Sequence, residues 1–163
     1  MKKLIVFAAA ILLTFSAFAQ DGRSIYNKYS DEPGVSAVYI SPSMFKLMGR
    51  IPSIELGQNE KMDITPIVKS LKGFYLISSS NKDIKERLSS DVKRFLNSGK
   101  FELMMEAKDS GDAVRIYTDG DESIIHSFLM MATDRDDTTF ISMDGLINRE
   151  DLEKLVGAAM ENM

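Results

Sequence analysis

The sequence predicts an α+β fold, an antiparallel sheet with helices packed mainly on one face, from three observations. Apolar residues recur at helical spacing in Ile84, Leu88, Val92, Phe95 and Leu96, which marks one long helix. Beyond it the period drops to two through four strand-like segments joined by short turns, the signature of a meander. Two earlier strand-like runs, Val35 to Ser41 and Phe74 to Ser79, lie next to short helical stretches and not in a regular β-α-β alternation. Strands gathered in this way favour antiparallel pairing.

Lys2 and Lys3, the apolar run Leu4 to Phe15 and the small residues around Ala17-Phe18-Ala19 form a three-part export signal, with cleavage expected before Gln20. Asp21 and Arg23 cut the apolar stretch short of the roughly 20 residues a membrane span needs. No second span follows, because no later apolar run exceeds Phe128 to Ala132. Residues 20–34 read as a polar lead-in ending in the turn cluster Asp31-Glu32-Pro33-Gly34, and residues 35–163 as a single domain of ordinary size. With no cysteine in the chain, both a disulfide framework and a lipid on a cysteine after the signal are ruled out. Loss of Lys2 and Lys3 makes the mature chain more acidic than the net −4 of the whole, which disfavours nucleic acid as a partner.

Within the domain, Ser41-Pro42 and Thr65-Pro66 each open a short helix, since Ser or Thr caps free amides and Pro fits the first helical position. Gly49 to Met62 reads as a mobile loop. The long helix is expected over Asp83 to Asn97, with Asn81 or Ser80 as cap. In the first meander strand, Phe101, Leu103, Met105 and Ala107 alternate with Glu102, Met104, Glu106 and Lys108, so one face is expected to be buried and the other partly wet. The strand Ser123 to Thr133 is apolar on both sides and belongs in the sheet interior. Thr138 to Met143 completes the meander, and Asn148 caps a last helix with Leu152 on its apolar stripe.

Val38-Tyr39-Ile40-Ser41 with Met44-Phe45, Phe101-Glu102-Leu103-Met104 running to Val114-Arg115-Ile116-Tyr117, and Phe140-Ile141-Ser142 to Gly145-Leu146-Ile147 together resemble exported Bacteroidetes proteins that carry the domain of unknown function 4252. The likeness runs from about Ile25 to Val156. It implies an exported protein and brings no activity, cofactor or catalytic residue.

Few residue patterns point to chemistry. His126 is the only histidine, and alternation puts it with Ile124 and Phe128 on a partly covered face, where a structural role is expected. No G-x-S-x-G, phosphate-binding glycine loop or H-E-x-x-H occurs. The meander brings its first and third turns to one end of the sheet, so Asp109, Asp112, Asp134, Asp136 and Asp137 are weak candidates for a Ca²⁺ site. Turn formation explains them without a metal, and no metal or other cofactor is expected. Paired methionines, Met104-Met105 and Met130-Met131, suit copper less well than they suit gap-filling in a core.

The expected function is that of a soluble envelope protein, periplasmic or extracellular and without catalysis, which binds a protein or peptide through Met104, Met130, Glu102 and Glu106. The alternative is a carrier or sensor of a small apolar ligand held between sheet and helices, which requires an apolar pocket of about 300 Å³ or more. Hydrolase is the third reading.

Overall fold

The computed structural model describes residues 22–47, 54–56, 60–62 and 65–160, so the export signal expected over residues 1–19 lies outside the described residues. Among the described residues, five helices and eight strands follow in the order α1 (Gly22–Tyr29), β1 (Ser36–Ile40), α2 (Pro42–Leu47), β2 (Ile54–Leu56), β3 (Glu60–Met62), α3 (Thr65–Ser70), β4 (Leu71–Ser79), α4 (Lys82–Ser98), β5 (Glu102–Asp109), β6 (Asp112–Gly120), β7 (Ile124–Thr133), β8 (Thr138–Asn148) and α5 (Arg149–Met160). Six strands form one antiparallel sheet in the order β1-β4-β8-β7-β6-β5, and β2 pairs with β3 in a separate two-stranded sheet. The α+β class is as expected. β7, apolar on both sides, is an interior strand.

The helices, however, cover both faces of the sheet and not mainly one. On one face, α1 and α4 bury Ile25, Tyr29, Leu88 and Phe95 against Ile77, Leu129, Met131 and Phe140. On the other, α2, α3 and α5 bury Phe45, Ile67, Val68 and Leu152 against Ile125, Phe128 and Ile147. The reason lies in β7, where Leu129 and Met131 feed one core while Phe128 and Met130 turn to the other. A strand with two apolar faces needs cover on both.

The polar lead-in contains α1. Ile25 and Tyr29, four residues apart, share one helical face and are 6% and 0% exposed. Tyr29 Oη donates to Asp91 Oδ2 on α4 at 2.6 Å, and Lys28 and Arg94 also bond that carboxylate. Burial acts to raise the Asp91 pKa, but the bonds from Lys28 and Tyr29 and the charge of Arg94 hold it below the usual value. Tyr29 moves up, through burial first and Asp91 second.

Asp91→Ala is expected to cost about 1–3 kcal/mol at pH 7, chiefly because a buried hydroxyl loses its acceptor, while the exposed Lys28 and Arg94 are rehydrated. A carboxylate with a lowered folded-state pKa contributes its full stability above the unfolded value and loses it as the pH falls through the folded one. The gap between the melting temperatures of parent and variant should therefore be widest near pH 7 and narrow below the ordinary Asp value of 3.8.

The segment Gly49 to Met62, read as a loop, contains the β2-β3 hairpin, with Ile54 opposite Met62; residues 48–53 and 57–59 lie outside the described residues. Three boundaries match the capping logic: Asn81 Oδ1 accepts from Asp83 N at 3.0 Å, Asn148 Oδ1 from Glu150 N at 2.9 Å, and Ser41 Oγ from Met44 N at 3.2 Å. β8 runs five residues past Met143 to Asn148. It stays beside β4 because Gly145 has no side chain: a Cβ there would lie 2.5 Å from the Ser70 carbonyl oxygen.

Candidate functional site

β5, β6 and β7 meet α5 around a cavity of about 340 Å³ that opens to solvent. Met105, Ile116 and Phe128 rise from the sheet to form its floor, Leu152 of α5 closes one side, and Met104 stands at the edge strand. Among the described residues, Arg149 and Glu153 supply its charged groups. This size and apolar character are those of a small-ligand pocket. Two other depressions are larger, about 490 and 460 Å³, but more polar. The first contains Arg115, already paired with Glu106 at 2.6 Å, and the second surrounds the Asp91 cluster.

The cavity wall is held by the β6-β7 turn. Asp121 Oδ1 accepts from Ser123 N at 2.8 Å, Ser123 Oγ at 2.9 Å and Ile124 N at 2.8 Å, and these bonds lower the Asp121 pKa to about 2. Arg149, the first residue of α5, donates from Nε and Nη2 to the Asp121 carbonyl oxygen at 3.0 and 2.8 Å, and its amide donates to the Ser123 carbonyl oxygen. Turn and helix start are thereby tied together, and the guanidinium is fixed at the rim. In the sequence, Asp119-Gly120-Asp121 reads only as a turn; Arg149, placed where the last strand meets the last helix, was the available signal.

A bulge changes the alternation along β5. Leu103 pairs with Tyr117 and Met105 with Ile116, so Met104 is the extra residue between them. Leu103 is consequently 52% exposed, contrary to its expected burial, and Met105 turns to the cavity side. Met130 lies on that side too: Val38, Leu76, Ile141, Met130, Ile116 and Met105 stand opposite one another in a row across all six strands. Glu102, opposite Thr118, is at the cavity end of β5. Glu106 is on the other face, engaged by Lys108 and Arg115, which hold its pKa below the usual carboxylate range. Of the four residues grouped by alternation, Glu106 is the one separated from the rest.

His126 does not share a face with Ile124 and Phe128 as expected. The register with both neighbouring strands breaks beside it, and it is exposed, with Asp121 as a charged neighbour. Ser127, the next residue, donates instead to Asp144 on the α1-α4 side. The first and third meander turns do lie at one end of the sheet, where Ala113 pairs with Thr133 and Thr133 with Thr138. Asp134 uses Oδ1 to accept from Asp136 N at 2.8 Å and Asp137 N at 2.6 Å, and Asp109 accepts from Ser110. Asp109, Asp112, Asp134, Asp136 and Asp137 form no group of three that could hold a metal among the described residues.

A two-sided antiparallel sheet, with an apolar cavity among the described residues and charged groups at its rim, defines an α+β domain. The domain of unknown function DUF4252 matches residues 29–155, and the chain belongs to this family. No curated protein and no solved structure matches it. No helix among the described residues is long and apolar enough to cross a membrane.

Proposed function

We propose that this chain is an exported, non-catalytic protein that carries or senses a small apolar ligand in the cavity between β5–β7 and α5. One observation carries the reading: about 340 Å³ of apolar space beside a packed core, within the roughly 300–1,000 Å³ of small-molecule pockets. Transfer of apolar surface from water drives entry, and the Arg149 guanidinium at the rim offers donors to a polar end of the ligand. The export reading rests on the signal pattern of the first 19 residues, and the absence of cysteine favours a soluble envelope protein over a lipoprotein.

A second reading, a protein or peptide partner that inserts an apolar side chain into the same space, is favoured by Leu103 and Met104, 52% and 47% exposed at the edge strand. The two readings differ in what accompanies the protein out of the cell envelope. Organic extraction of the purified mature protein, followed by mass spectrometry, should yield an apolar small molecule approaching one per chain. The Gly157→Phe variant should lose it, because residue 157 lines the cavity and a Cβ there meets nothing within 4 Å. An empty parent protein that captures a polypeptide through Met104 would transfer the cavity to the second reading.

A further inference from the structure

The two edges of the sheet are built differently. β5 carries Glu102, Glu106, Lys108 and Asp109 and is broken by the Met104 bulge, features that deter another strand from pairing. β1, Ser36-Ala37-Val38-Tyr39-Ile40, has no charge and no proline, and its register with β4 is unbroken. Among the described residues its other edge pairs with nothing. Every second residue of such a strand turns its N–H and C=O away from the sheet. Four exposed large apolar residues gather here as well: Val38, Tyr39, Met44 and Leu47 are 44%, 41%, 49% and 82% exposed, in β1 and the adjoining α2.

We propose that β1 pairs with β1 of a second copy, antiparallel and centred on Val38, so that two six-stranded sheets join across a two-fold axis. The strand is complementary to itself in that register. Tyr39, stacked on Tyr75 at 5.2 Å, faces the small Ala37 of the other copy; Ile40 faces Ser36, and Val38 meets its equivalent on the axis. Directly opposed residues of antiparallel strands share a face, so each large side chain is given room by a small one. The charges agree with an antiparallel arrangement: Asp31 precedes β1 and Lys46 follows it in α2, and reversal of one copy brings the acidic end of each beside the basic end of the other. Met44 and Leu47 extend the contact beyond five residues of backbone, which alone would fall short of the roughly 1,000 Å² of a stable interface.

Sedimentation equilibrium of the mature chain at about 50 µM tests this. The parent should sediment at twice the monomer mass. Val38→Lys and Val38→Glu should each halve that mass, because like charges then oppose on the axis, and an equimolar mixture of the two should restore it. Leu103→Lys, which adds a charge at the other edge, should remain dimeric and shows that the effect belongs to β1. A monomeric parent, variants as dimeric as the parent, or a mixture that stays monomeric would each overturn the proposal.

Discussion

Leu129→Glu is expected to unfold the domain, while Leu103→Glu leaves it folded. Leu129 is 0% exposed in the interior strand β7, between Tyr117 of β6 and Ser142 of β8, beneath the α1-α4 layer. A carboxylate at this position has Tyr117 and Ser142 as its register partners and no cation directly opposite. Its effective desolvation cost is several kcal/mol, comparable with much of a small domain's stability of about 5–15 kcal/mol. Leu103 sits on edge strand β5 beside the bulge, 52% exposed, where a carboxylate keeps its water. Circular dichroism and urea denaturation distinguish the two. Equal losses would mean that the bulge at Met104 does not form and that simple alternation governs β5 after all.

Phe140→Ala is expected to cost about 3–5 kcal/mol, the range for truncating a buried aromatic side chain. Phe140 is 0% exposed on β8, with Ile77 of β4 and Met131 of β7 as its register partners. Interior strands allow little collapse into the space left behind, so the upper part of that range applies. The melting temperature should fall by roughly 10–15 °C. A loss below about 1 kcal/mol would show that the α1-α4 side is not the main core.

Long-period and boundary signals were legible in the sequence. The α4 repeat, the Asn81 and Asn148 caps and the two-residue period of the meander are local properties, written in neighbouring residues. Helix α1 was obscured because only Ile25, Tyr26 and Tyr29 mark it amid polar residues, and a helix of eight residues depends on packing more than on propensity. The bulges at Met104 and beside His126 come from register with neighbouring strands, and one extra residue reverses every facing beyond it. Alternation therefore grouped Glu106 with Met104 and made the exposed His126 partly covered. The cavity arises where three strands meet α5, a juxtaposition that spacing along the chain does not encode; Met104 was legible as an exposed residue, Arg149 was signalled only by its place after the Asn148 cap, and Gly157 not at all.

The most direct test of the apolar cavity is a fluorescence titration of the chain from Gln20 onward with N-phenyl-1-naphthylamine, a neutral probe that brightens in apolar surroundings, with the parent and Gly157→Phe side by side. Phenylalanine at 157 enters open space on a helix and should leave the melting temperature unchanged or raised, since glycine within a helix costs roughly 0.5–1 kcal/mol relative to alanine. The account predicts saturable binding near one probe per parent chain and at least a tenfold weaker response from the folded variant. Equal binding by both proteins, or no saturable binding by the parent, would contradict it.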